Sequence, residues 1–113
     1  MTDQEMFDTV VITLLCQGSP SYDSYKKMSL YHNGYLRSAI GSLIPPEKYD
    51  SDMEFSSLWG LIENYKLFSY EDWLLLRDLE NAHDEWYLKG FDKWKSSMKK
   101  IAKDFNLNSS ILS

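Results

Sequence analysis

Apolar residues recur at spacings of three and four along much of this chain, the pattern of helices that bury one face. The first stripe comprises Met6, Phe7, Val10, Val11, Leu14 and Leu15. Thr2 with Glu5 three residues on is typical of a capping box, so we expect the first helix to begin near Thr2 or Asp3. Gly18 and Pro20 are expected to end it.

Two further stripes follow one another in the C-terminal part of the chain. They comprise Leu76, Leu79, His83 and Trp86, then Phe91, Trp94, Met98, Ile101 and Phe105. The second stripe is out of phase with the first by one residue, and the break falls at Gly90. Since a straight helix cannot keep both stripes on one face, we expect a bend or interruption around residues 88–91. Asn106 is expected to close the last helix in the left-handed conformation, with Leu107 folding back.

The middle of the chain has shorter signals. Residues 19–27 are typical of a loop, and Asn33-Gly34 predicts a β-hairpin, because a type I′ turn needs positive φ at both central residues. Residues 39–44 predict a short helical turn ended by Pro45-Pro46, and an acidic loop follows over 46–55. Ser56 or Ser57 is expected to cap the next helix, and Ser69 with Asp72 resembles another capping box.

These patterns predict one domain over residues 1–113, of the mainly α (α+β) class. Four to five helices are expected, packed with one small β-hairpin. The predicted core is centred on Leu14, Leu61, Leu76, Leu79, Trp94 and Ile101.

Charge and cysteine content narrow the functional classes. The net charge is −5, but residues 89–105 carry six lysines and two aspartates, which leaves −9 for the remainder. The overall acidity argues against nucleic-acid binding, which needs a basic footprint.

The single cysteine, Cys16, lies in an apolar run and is expected to be buried. A single cysteine excludes an intramolecular disulfide. That run is too short to span a bilayer and no signal peptide precedes it, so a cytoplasmic protein without membrane contact is expected.

One segment resembles a known group of proteins. Residues 39–45 read Ala-Ile-Gly-Ser-Leu-Ile-Pro, and Tyr49-Asp50, Met53-Glu54 and the helical pair His83-Asp84 follow. This pattern resembles a signature of small uncharacterised bacterial proteins from phages, prophages and mobile gene cassettes. The chain departs from it where the signature has Cys, Pro and Gly, namely at Ser38, Ser51 and Phe55. The resemblance implies a mobile-element context and no mechanism, and we interpret Gly41 as a close backbone approach, with the rest as packing.

Few residues suggest chemistry. Glu80 and His83 share one helical face, as di-iron bundles require, but such sites need a second pair and two further glutamates. We therefore expect His83 to be a core or boundary histidine bonded to a backbone or acidic group. Asp50-x-Asp52-x-Glu54 begins like a calcium loop but lacks its glycine and closing glutamate, so a solvated acidic loop is expected. No cofactor motif occurs, and neither a cofactor nor a metal is predicted.

The tyrosines carry the functional expectation. Tyr22, Tyr25, Tyr31 and Tyr35 cluster in the predicted loop and hairpin, and together with His83 and Asp84 they form the predicted binding set. Tyrosine beside mixed charge favours a protein partner or a homodimer. We expect a non-enzymatic protein-binding module of mobile-element origin, an inhibitor or modulator of a host or defence protein. Two alternatives stay open: a small metal-dependent or hydrolytic enzyme using Glu80, His83 and Asp84, and an acidic nucleic-acid mimic.

Overall fold

A computed structural model describes residues 1–113 as four α-helices, five short 3-10 turns and two pairs of two-residue strands. Helical residues make up 61% of the chain, so the mainly α, α+β prediction is confirmed. The helices are α1 (Asp3–Gln17), α2 (Leu58–Glu63), α3 (Trp73–Lys89) and α4 (Phe91–Asp104). The strands are β1 (Tyr22–Asp23), β2 (Met28–Ser29), β3 (His32–Asn33) and β4 (Leu36–Arg37). No helix combines the length and apolar character needed to cross a membrane.

Helix α1 begins and ends as its sequence predicts. Thr2 and Glu5 form the reciprocal capping box, and Gly18 ends the helix in the left-handed conformation with φ 75°. The face that carries Phe7, Val10, Val11 and Leu14 is fully buried. The prediction that Cys16 is buried is wrong, because 100° per residue turns it onto the opposite, exposed face.

Helices α3 and α4 form an antiparallel pair, the most extensively packed pair of elements in the structure. Gly90, with φ 98°, interrupts the helix where the two stripes change phase, so the predicted break is confirmed. Stacking of Trp86 on Trp94, with ring centroids 4.9 Å apart, joins the two helices beside the break. After α4, Asn106 takes φ 56° and the Leu107 N–H donates to the Ala102 carbonyl at 2.7 Å, as predicted.

The strand region differs from the prediction in number and register. The predicted hairpin exists as β3–β4, but Asn33 pairs with Leu36, so the turn residues are Gly34 and Tyr35. Of these two, only Gly34 has positive φ (63°), which fits a type II′ turn rather than the predicted type I′. A second pair, β1–β2, forms within the expected loop, because the Asp23 carboxylate accepts the two following turn N–H groups, of Tyr25 and Lys26.

The segment between β4 and α3 contains four 3-10 turns and the short helix α2. The turns are Gly41–Leu43, Pro46–Lys48, Ser51–Phe55 and Tyr70–Asp72. Ser57 caps α2 as predicted. Ser69 caps the turn that precedes α3 and not α3 itself, so the capping box expected for the long helix is absent.

The core contains all six residues predicted at its centre, each at most 6% exposed. Beside the core, the backbone of Gly41 lies in close contact with the backbone of Tyr31, which precedes the β3–β4 hairpin. An ideal Cβ built on Gly41 would lie 1.9 Å from the Tyr31 carbonyl oxygen, although the φ of Gly41 is not in the left-handed region. Glycine is therefore required here by space and not by backbone conformation, as the sequence suggested.

Gly41→Ala is expected to lower the free energy of unfolding by about 3 kcal/mol or more, since two backbone segments must move apart. Gly60→Ala is the matched control, because the nearest atom to its new Cβ is the Ser56 side chain at 3.3 Å. Urea unfolding of both variants measures the difference. Equal, small effects at the two positions would contradict the close approach.

Candidate functional site

His83 lies inside the protein, 0% exposed, with both ring nitrogens engaged. Its Nε2 atom accepts the Ser21 backbone N–H at 2.9 Å, and its Nδ1 atom lies 3.0 Å from an Asp84 oxygen. Because a backbone N–H can only donate, Nε2 is the unprotonated nitrogen and Nδ1 carries the hydrogen. His83 is therefore a neutral imidazole that joins α3 to the start of the strand region, and the expectation of a hydrogen-bonded core histidine is confirmed.

Asp84 completes this connection at the surface. The Oδ1 atom that contacts His83 also accepts the Ser29 hydroxyl of β2 at 2.6 Å, and 46% of the Asp84 side chain is exposed. A serine nucleophile would need its hydroxyl on the imidazole, with the carboxylate behind it. Here the serine contacts the carboxylate, and the remaining imidazole nitrogen is taken by Ser21. The arrangement positions β2 on α3 and does not assemble a proton relay.

Glu80 makes the second connection from α3. Its Oε2 atom accepts the Ser38 hydroxyl at 2.9 Å, and its Oε1 atom accepts the Ile40 N–H at 3.1 Å. Burial of this carboxyl raises its pKa from 4.5 to about 7. Ser38, fully buried, also accepts the Gly41 N–H at 3.0 Å. Ser38 stands where the mobile-element signature has cysteine, and its hydroxyl holds the start of the Gly41–Leu43 turn in place.

Glu54 makes a third connection, on the other side of the same segment. Its carboxylate accepts the N–H groups of Tyr31 and His32 at 2.8 and 3.0 Å, and the Tyr49 hydroxyl at 2.6 Å. Burial, with this hydrogen bond, raises the pKa of Tyr49 to about 12. His32 stacks on Tyr49 at 3.9 Å between ring centroids and donates from Nε2 to the Gly41 carbonyl at 3.0 Å. Glu54 is therefore turned inward, away from the other carboxylates of the expected acidic loop.

These connected groups lie apart from the grooves of the surface. The three grooves have volumes of about 510, 510 and 250 Å³, and neither Glu80, His83 nor Asp84 lines any of them. No three side chains among His, Cys, Asp and Glu are grouped to hold a metal. Asp50 instead caps the Ser51–Phe55 turn by accepting the Asp52 N–H at 2.8 Å. The side chains of Glu80, His83 and Asp84 therefore make internal hydrogen bonds that hold the strand region in place.

The four tyrosines of the predicted binding set have different surroundings. Tyr25 and Tyr35 project from the turns of the two hairpins and are 98% and 76% exposed. Tyr22 stacks on Tyr87 of α3, with ring centroids 3.5 Å apart. Tyr31 is half-buried against the core and donates its hydroxyl to the Ser56 carbonyl at 2.7 Å, and burial raises its pKa. Tyr31 is thus a packing residue, and only Tyr25 and Tyr35 present free rings.

A larger aromatic surface lies elsewhere, where sequence reasoning did not place a site. Trp59 of α2 meets Tyr70 and Trp73 edge-on, with centroid distances of 5.1 and 4.8 Å. Trp59 and Tyr70 are nevertheless 45% and 53% exposed, and Phe55 and Leu74 beside them in the chain are also exposed. We call Trp59, Tyr70 and Trp73 the aromatic cluster. The three residues come from α2, from the turn before α3 and from the first position of α3, so periodicity within one helix could not reveal them.

The edge of the aromatic cluster is polar. The Tyr70 hydroxyl donates to Glu63 at the end of α2, and this hydrogen bond is the main reason that the pKa of Tyr70 is raised. Neither Glu63 nor Glu71, which follows Tyr70 in the chain, forms an ion pair within the chain. No family model, curated protein or solved structure matches this chain.

The raised pKa of Glu80 predicts a pH-dependent stability. The unfolded carboxyl titrates near 4.5 and the folded one near 7, so the folded state binds the proton more tightly. This contribution is complete below pH 4.5 and is lost as the pH rises through 7. Glu80→Gln stays neutral, and its stability relative to wild type should rise by on the order of 3 kcal/mol between pH 4.5 and 8. Urea unfolding at several pH values measures this, and a pH-independent difference would contradict it; Glu71→Gln, at an exposed position, is the control.

Proposed function

We propose that this chain is a non-enzymatic protein-binding module of mobile-element origin that inhibits or modulates a host or defence protein. The observation that carries the proposal is the half-exposed aromatic cluster of Trp59, Tyr70 and Trp73. Tryptophan and tyrosine are enriched at the centres of protein interfaces, because they bury a large area at a low entropy cost. The mobile-element origin rests on the resemblance of residues 39–54 and of His83-Asp84.

The enzymatic alternative has less support. It requires Glu80, His83 and Asp84 to face a substrate, and these residues are engaged with Ser38, Ser21 and Ser29 instead. A hydrolytic role would first have to break the hydrogen bonds that hold the strand region on α3. The acidic-mimic alternative would be favoured by an unbroken row of carboxylates, whereas here an apolar aromatic surface interrupts the acidic segment.

Capture from a bacterial lysate, followed by affinity measurement on the captured protein, tests the proposal. Wild type is compared with Trp59→Gln/Tyr70→Gln and with the control Tyr25→Gln/Tyr35→Gln, which removes two still more exposed rings. We expect the first pair to weaken binding at least about tenfold and the second pair to leave it unchanged. Circular dichroism and urea unfolding establish that the variants remain folded.

Three outcomes would count against the proposal. If the capture recovers only the protein itself and cross-linking shows no dimer, the protein has no partner under these conditions. If cross-linking shows a dimer, the partner is a second copy of the chain and not a host or defence protein. A partner whose affinity follows Tyr25 and Tyr35 would move the interface to the hairpin turns.

A further inference from the structure

We infer that the aromatic cluster binds an arginine-bearing, basic segment of a protein partner. This inference rests on the proposed function and specifies the chemistry of its partner. It follows from the distribution of charge, the restrained Trp59 ring and two carboxylates, of Glu63 and Glu71, that form no ion pair within the chain.

Negative charge is concentrated in the chain segment that supplies Trp59 and Tyr70. Residues 47–72, which supply α2, the preceding turns and the turn before α3, carry seven acidic and two basic residues. Their net charge of −5 equals that of the whole chain, so the remaining residues sum to zero. The two basic residues, Lys48 and Lys66, line a groove shared with Asp72. The segment therefore attracts a cationic partner and repels phosphate.

The Trp59 ring is held in one orientation while part of it stays exposed. Tyr70 and Trp73 meet it at interplanar angles of 66° and 85°, the edge-to-face arrangement that aromatic pairs prefer. An indole ring that is already ordered loses little freedom on binding. Its face carries negative electrostatic potential and is the best of the side-chain surfaces for a cation.

Two carboxylates adjoin residues of the aromatic cluster. Glu63 is fixed at the edge of the cluster because one of its oxygens accepts the Tyr70 hydroxyl, and its other oxygen has no hydrogen bond within the chain. Glu71, next to Tyr70, has an unpaired carboxylate. A guanidinium group stacks on an aromatic ring and donates two parallel hydrogen bonds to a carboxylate, whereas an ammonium group does neither as well. Arginine therefore fits this surface better than lysine.

The test uses three probes against the intact protein: an amidated hexa-arginine peptide, a hexalysine peptide and a single-stranded oligothymidine. The four tryptophans give separate indole N–H signals in NMR spectra, and Trp59→Phe assigns that of Trp59. Hexa-arginine should shift the Trp59 and Trp73 signals, leave the buried Trp94 signal in place, and bind more tightly than hexalysine. Raising the salt from about 50 to 500 mM should weaken the binding.

Variants separate this site from bulk charge. Trp59→Leu and the pair Glu63→Gln/Glu71→Gln should each weaken hexa-arginine binding about tenfold, and glutamine at position 63 still accepts the Tyr70 hydroxyl. Asp92→Asn/Asp104→Asn removes the same charge from two exposed positions outside residues 47–72 and should have little effect. Tyr35→Leu removes a free ring from the β3–β4 turn and should also have little effect.

Several outcomes would overturn the inference. These are equal losses for the two charge-neutralised pairs, no shift of the Trp59 signal with hexa-arginine, and oligothymidine binding that depends on Trp59. If a captured partner depends on Trp59 and Tyr70 but is unaffected by Glu63→Gln/Glu71→Gln and by salt, the protein-binding proposal stands and the arginine inference fails.

Discussion

The hydrogen bonds that α3 makes through Glu80 and His83 hold the strand region against the helices. Strands of two residues are not stable alone, and neither hairpin extends into a larger sheet. Glu80 accepts groups of Ser38 and Ile40, and His83 accepts the Ser21 N–H, so one helix organises both ends of the strand region. Breaking either connection would leave buried polar groups unpaired, which costs more than a hydrogen bond contributes.

Glu80, His83 and Asp84 resemble a catalytic group but act as part of the scaffold. A buried histidine next to an aspartate, with a glutamate one turn before it, is a common starting point for a catalytic hypothesis. In this fold the partners of all three are backbone groups and serine hydroxyls of the same chain. The residues that resemble the mobile-element signature, including Gly41, Tyr49 and Glu54, take part in the same scaffold. The exposed aromatic surface around Trp59 lies outside this scaffold.

Local sequence predicted the helices well, because caps and stripes act within a few residues. The Thr2 box, the ends of α1 and α4 and the break at Gly90 depend on groups at most five residues apart. The same reasoning failed by one residue at Gly34 and missed β1–β2. Two-residue strands carry almost no pattern, and they are positioned by contacts with distant residues: Asp84 of α3 for β2, Glu54 for β3 and Gln17 of α1 for β4. The burial of Cys16 was also wrong, because an apolar run does not say which helical face it lies on.

The sequence by itself determined the helical class, the six central core residues and the polarised charge, since each follows from the spacing or sign of side chains along the chain. Only the tertiary structure decided that His83 and Glu80 serve the scaffold, because their partners lie forty or more residues away. It alone also brought Trp59 against Tyr70 and Trp73. An aromatic cluster built from separate elements has no local signature, because the rings meet only when α2 packs on α3.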